Sequence, residues 1–297
     1  MIDRNNRNID LDLAKFEEIN TMEELEAFTE KLFIDNLGFV PFYVEVKPGF
    51  GNHANAILRD LLVQADENNK DDIQINLLAK SCLRRTEEFN RAFYPHLLNL
   101  PNGIFDTLNN YMLGKMENPY TGKPLETYDR GGNIGFILFG DNKKVIDKAR
   151  LLQGSTGNPA EGTIRYKYGL CDIAGNLRPN KTANVLHCSD SCVSAIKELY
   201  MAIANPQKFG AYSELLEIPS INIPKILDVI YLTSMVSGAI KEKEQEIVAI
   251  QNGQKQEKTE GKTTTAQKRL AQILKENSAK KSDAKPVTPV NDGREGK

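Results

Sequence analysis

Four short apolar runs separated by helical patterns constrain this chain more than any other feature. Phe39 to Val46, Ile73 to Leu83, Ile134 to Phe139 and Val185-Leu186-His187 read as buried strands. Each is dominated by aliphatic or aromatic residues and is bounded by polar or turn-forming ones. Helical patterns follow each strand. They run from Asn55 to Gln64, from Thr86-Glu87-Glu88-Phe89 onward, from Pro101 onward, from Lys143 to Leu151, and over 190–203. In the Pro101 helix, Ile104, Phe105, Leu108, Tyr111 and Met112 share the apolar side. Counting adjacent helices as one, the order β-α-β-α-β-α-β-α is compatible with an α+β ferredoxin-like sandwich, a four-stranded antiparallel sheet with covering helices.

The ends differ from this body. Thr21-Met22-Glu23-Glu24 has the form of a capping box opening a short helix to about Leu32, within an N-terminal extension over 1–38. The body spans 39–203, and a helical C-terminal extension covers 204–252, with the apolar stretch Ile221 to Ile240 completing the folded part. From Gly253 the composition turns to Lys, Gln, Glu, Thr and Ala with few large apolar residues, so 253–297 is expected to be disordered apart from a helix around Gln267–Glu276. A net charge of −2 argues against a nucleic-acid partner. No unbroken run of 18 apolar residues is present, so no membrane span is expected. Met1 to Asn8 lack the apolar core of a signal peptide, and Cys82, Cys171, Cys188 and Cys192 lack zinc spacing. Both features point to free thiols in a reducing cytoplasm.

The chemistry concentrates in two segments. Asn184-Val185-Leu186-His187-Cys188-Ser189-Asp190-Ser191 carries a strand into a histidine and then into a helix start, where Asp190 or Ser189 is expected to cap the orphan amides. A helix N-terminus favours anions through its free amides and its dipole. Upstream, Arg150 and Arg165 bracket a turn-rich loop, Gly154-Ser155-Thr156-Gly157-Asn158-Pro159. Guanidinium forks suit phosphate oxygens, and a threonine hydroxyl adds a neutral donor.

Together these segments resemble the nucleoside diphosphate kinase family, whose signature pairs an Asn-Pro-…-Gly-Thr-Ile-Arg loop with Asn-x-x-His-x-Ser-Asp-Ser. The resemblance covers about 39–203 and implies the same sandwich fold. It implies that His187 is the phosphorylated nucleophile, oriented by Ser189 and Glu198, the latter eight residues past Asp190 and so about two helical turns along. Lys47 of Lys47-Pro48, Tyr94, Arg150, Thr156 and Arg165 match the family's phosphate-binding residues, and Asn184 matches the asparagine that meets ribose and phosphate. The implied partners are nucleoside di- and triphosphates, the implied cofactor is Mg2+ held through the phosphates with Asp190 helping through water, and the implied assembly is a homo-oligomer.

Three departures stand out. Lys47-Pro48 continues as Gly49-Phe50-Gly51-Asn52-His53 rather than Asp-Gly. Ile104, with Phe105 adjacent, replaces the family's base-stacking phenylalanine and lacks its ring. The loops at 114–133 and 169–182 are longer than the family's. Two readings follow: a phosphotransferase moving the γ-phosphate from a nucleoside triphosphate to a nucleoside diphosphate through phospho-His187, or a catalytically weak nucleotide-binding regulatory or scaffold module with the same fold.

Overall fold

The computed structural model describes residues 13–67, 73–101, 103–128 and 131–251. The expectations for Met1 to Asn8, the 253–297 tail and the Gln267–Glu276 helix lie outside the described residues.

Strand β1, Val40–Val46, is central and buried along its whole length. It pairs antiparallel with β3, Asn133–Gly140, and on its other side with β4, Leu186–Cys188. Strand β2, Asn76–Arg84, pairs antiparallel with β3 across a register shift between Leu77 and Ala79. A further strand, β5 (Tyr212–Glu217), pairs antiparallel with the outer edge of β2. The sheet therefore runs β4-β1-β3-β2-β5, with five strands where four are expected from the sequence. Strand β5 alternates half-buried and exposed residues, as befits an edge whose outer face meets water.

The period of two along β1 distributes its side chains between two cores. Phe42, Val44 and Val46 join Ile134, Phe136 and Leu138 on one face. Tyr43 joins Ile137, Leu83 and Phe89 on the other. Truncating a fully buried phenylalanine such as Phe42 to alanine costs about 3–5 kcal/mol.

Helices α1 (Leu13–Glu18) and α2 (Met22–Leu37) precede the sheet. The capping box predicted at Thr21 is present, with the Thr21 hydroxyl accepting from the Glu24 amide at 3.1 Å and the Glu24 carboxylate accepting from the Thr21 amide at 3.0 Å. Then come α3 (Ala54–Glu67), α4 (Glu87–Phe93), α5 (Ile104–Met112), α6 (Lys144–Gln153) and α7 (Ile164–Tyr168). Helix α8 (Cys192–Leu199) runs into a π-helical turn at Tyr200–Ala204, so the helix expected over 190–203 is regular only in its first two turns.

Helix α9, Ile223–Gln251, is long and apolar enough to cross a bilayer, although no unbroken apolar run announces it. Here Ile226 and Val229 pack with Tyr43 and Leu199, while Leu232, Val236 and Ile240 share a core with Leu25 and Phe33 of α2. Helices α2, α8 and α9 thus pack against one another beside β1 and carry the elements of the site.

Candidate active site

His187 is the middle residue of β4, flanked by the buried Leu186 and Cys188, so its imidazole emerges on the opposite side from theirs. Its cross-strand partner is Glu45 of β1. The imidazole Nε2 lies 2.9 Å from Glu198 Oε1, and the other oxygen of that carboxylate accepts from Ser189 Oγ at 2.6 Å. Ser189 is itself fixed, since its Oγ accepts from the Tyr43 amide at 3.0 Å. A carboxylate at Nε2 favours the tautomer protonated there, which leaves the Nδ1 lone pair available. The Phe93 ring packs edge-on against the imidazole at 5.4 Å. His187, Ser189 and Glu198 thus form a hydrogen-bonded triad.

The helix start differs from expectation. The N-cap of α8 is Ser191, which accepts from the Ser194 amide at 3.2 Å, rather than Asp190 or Ser189. The Cys192 and Val193 amides donate to the Glu26 carboxylate of α2. An anion already occupies this helix N-terminus, so the amides expected to attract phosphate are satisfied from within the protein.

Lys47 follows β1 directly. Its side chain is 7% exposed, and Nζ lies 3.4 Å from the Thr182 carbonyl. Burial, reinforced by the nearby Arg165, holds its ammonium down to about 7. The Lys47 amide donates to the carbonyl of Val185, which has a φ of 73°. That conformation is strained for a β-branched residue and sits two residues before the histidine. Gly49 explains one departure from the family pattern. It has a φ of 87°, and a Cβ there would fall 2.5 Å from the Leu125 side chain, so the 114–128 loop packs directly on the Lys-Pro-Gly turn.

Lys47, Tyr94, His187 and Glu198 line one cleft of about 1080 Å³, with Asp190 also in its lining. The Tyr94 hydroxyl is buried and has no hydrogen-bond partner among the described residues, and burial raises its pKa so that it stays a neutral donor. Ile104 does not join them. It begins α5 at 42% exposure and is absent from the cleft lining, whose apolar residues include Phe93, Leu97 and, one turn into α5, Leu108.

The remaining residues are partly diverted from the roles expected of them. The Arg165 guanidinium donates to three carbonyls, Nε to Asn184 at 2.9 Å, Nη1 to Gly154 at 2.7 Å and Nη2 to Leu186 at 3.0 Å. It ties the 154–163 loop to β4. Burial holds its pKa to about 10. Arg150 forms an exposed ion pair with Asp190 at 3.3 Å. Asn184 donates through Nδ2 to the Lys181 carbonyl at 2.6 Å, while its Oδ1 has no partner among the described residues. Thr156, Arg165 and Asn184 meet around a separate recess of only about 10 Å³, room for about one water.

Two features escaped the sequence reading. Glu26 lies in a helix read as an extension, and nothing local announces its role as a cap. The second is a buried network beneath the site. Arg85 Nε donates to Glu45 Oε1 at 2.8 Å, with a second contact from Nη2 to the other oxygen, and Asn133 also donates to Glu45. The Arg85 guanidinium lies over the rings of Phe89, Phe93 and Tyr94. A glutamate inside an otherwise apolar strand was the available signal, since a buried carboxylate requires a partner.

No protein-family model matches the chain, and no curated protein matches it. Among solved structures it is similar to the nucleoside diphosphate kinase of Aquifex aeolicus, with 21% identity, 54% of this chain and 92% of that chain covered, and a TM-score of 0.37. A nucleoside diphosphate kinase of Halobacterium salinarum in complex with CDP matches at 20% identity, over 50% of this chain and 76% of that one, with a TM-score of 0.34. A nucleoside diphosphate kinase family protein of Babesia bovis matches at 19% identity, over 61% and 96%, with a TM-score of 0.39. At these identities and scores the similarity decides neither the reaction nor the residues.

Proposed function

We propose that this protein is a nucleoside diphosphate kinase-like phosphotransferase that passes the γ-phosphate of a nucleoside triphosphate to a nucleoside diphosphate through His187. The observation that carries this reading is the triad of His187, Glu198 and Ser189, which holds Nε2 and leaves Nδ1 available in a cleft shared with Lys47 and Tyr94. The strand order β4-β1-β3-β2, with β5 added at the edge, supports a ferredoxin-like sandwich beneath it.

In this mechanism the Nδ1 lone pair attacks the γ-phosphorus. The Nδ1–P bond forms as the bond from phosphorus to the β–γ bridging oxygen breaks, and the diphosphate leaves with that electron pair. The Nε2 proton stays on the ring, facing Glu198, whose charge offsets the imidazolium character that develops. Lys47 and the Tyr94 hydroxyl present donors to the transferring oxygens, and a single such donor is worth about 3–4 kcal/mol in the transition state. The second half-reaction runs the same step in reverse onto an acceptor diphosphate.

Among the described residues no group of three His, Cys, Asp or Glu side chains is placed to hold a metal. Mg2+ would be carried by the nucleotide phosphates, with Asp190 in the cleft lining to help through water. When bound, the ion neutralises charge on the phosphate chain. The same reading places the protein in a reducing cytoplasm as a homo-oligomer. A second reading, a nucleotide-binding module of low turnover, is favoured by the carbonyl bonds of Arg165 and by Ile104 lying outside the cleft lining.

Incubation with Mg-ATP labelled at the γ-phosphate tests the proposal. The expected label is acid-labile and base-stable, lost in His187→Ala and kept in His53→Ala and His96→Ala. A label that survives loss of His187 overturns the mechanism. A coupled assay with ATP and a non-adenine diphosphate separates turnover from binding alone.

A further inference from the structure

A di- or triphosphate brings several negative charges into a cleft whose expected cations are largely engaged. Arg165 holds three carbonyls, Arg150 faces Asp190, and Lys47 is buried against the Thr182 carbonyl. Lys181 differs from all three. It is exposed, lines the same cleft as Lys47 and His187, and its ammonium makes no hydrogen bond or ion pair with the described residues.

Its backbone, by contrast, is pinned. The Lys181 carbonyl accepts from Asn184 Nδ2, and the Asn180 side chain accepts from the Thr182 and Ala183 amides at 2.8 and 2.9 Å. The inserted segment behind it is closed by an Arg178 amide to Leu170 carbonyl bond of 2.7 Å and by an Asp172–Arg178 ion pair. The lysine stem is directed as well. A Cβ built on Gly157 would meet Lys181 Cε at 3.9 Å, so the stem passes over the loop that carries Thr156. A hydrogen-bonded base thus holds an exposed cation between that loop and the histidine cleft.

We propose that Lys181, supplied by the inserted 169–182 segment, binds anionic oxygens of the phosphate chain of a nucleotide in this cleft. This rests on the reading of the cleft as a nucleotide site, and it goes beyond that reading by giving the insertion a role in substrate binding. A lysine ammonium serves here as a point charge on a flexible stem, able to follow the chain before and after transfer.

The test is calorimetric binding of a nucleoside diphosphate, inorganic tripolyphosphate and the unphosphorylated nucleoside to the full chain, comparing wild type with Lys181→Ala and Lys181→Arg. The expected result is a roughly tenfold weaker diphosphate and tripolyphosphate affinity in Lys181→Ala, unchanged nucleoside binding, an unchanged melting temperature and recovery in Lys181→Arg. The defect should shrink as salt rises, since the contact is exposed and screened. Equal diphosphate affinity and salt dependence in wild type and Lys181→Ala overturn the proposal, even if His187 is labelled. A wild type that takes no label yet loses diphosphate affinity on Lys181→Ala overturns the phosphotransfer mechanism and sustains the role of Lys181. A wild type that binds none of the phosphates overturns both.

Discussion

Replacing Lys47 with methionine should stabilise the protein near neutral pH while removing its phosphate chemistry. The side chain is almost wholly buried, and burial brings its ammonium from 10.5 to about 7. At about 1.36 kcal/mol per pKa unit, this disfavours the charged form by on the order of 4–5 kcal/mol relative to the unfolded chain. The sign follows from proton counting. Between pH 7 and 10.5 the unfolded chain holds a proton on this lysine that the folded protein has largely released, so stability rises with pH across that window. Below about pH 7 both states are charged and the whole penalty applies, and above 10.5 it vanishes. Methionine keeps most of the stem volume and cannot titrate, but it forgoes the Thr182 contact. We expect Lys47→Met to gain about 2 kcal/mol at pH 6–7 in urea denaturation, with the gain fading by pH 10. Parallel stability curves for the two proteins over pH 6–10 would refute the reasoning. A bound phosphate should also pull the ammonium back toward its ordinary range, so diphosphate binding near pH 8 should take up a proton in wild type, seen as a buffer-dependent binding heat.

Arg165→Ala should lower stability along with activity. The Asn184 and Leu186 carbonyls keep the Leu186 amide and Gln153 Nε2 as donors, so the loss falls mainly on Gly154 and should cost about 1–3 kcal/mol in denaturant unfolding; an unchanged midpoint would show that the guanidinium does not hold the loop. Arg85→Met should cost about 3–5 kcal/mol by leaving Glu45 buried and unpaired, and adding Glu45→Val should recover most of it; equal stability of the single and double variants would remove the ion pair as the cause.

Much of the sheet was legible because apolar runs at strand length have few other uses. Phe39 to Val46 and Ile134 to Phe139 became β1 and β3 almost residue for residue. Strand β5 was not legible, because Tyr212–Glu217 is an edge whose alternation includes two glutamates and only half-buried partners. A helical extension to 252 was read, but that α9 runs as one unbroken helix was not, since the charged Lys241 to Glu246 stretch does not look continuous with its apolar start. The triad was legible through the resemblance in the His187 segment, and its members lie close because the histidine, the serine and the glutamate two turns away come from adjacent elements.

What the sequence did not carry is where each cation ends up. A motif of arginines around a Gly- and Asn-rich loop looks the same whether the guanidinium awaits a phosphate or ties down the loop's own carbonyls. Carbonyl acceptors belong to every residue and leave no mark in the sequence. Arg165 resolves toward the carbonyls, and the backbone it grips includes the Asn184 and Leu186 carbonyls on either side of the strained Val185. The Val185 carbonyl in turn accepts from the Lys47 amide, and the Leu186 amide donates to the Asn184 carbonyl across Val185, so the arginine and two backbone bonds hold the unfavourable φ that leads into His187. Strain of this kind persists only where surrounding bonds over-determine it. In this site, therefore, a residue expected to grip substrate also holds in place the backbone that presents the histidine.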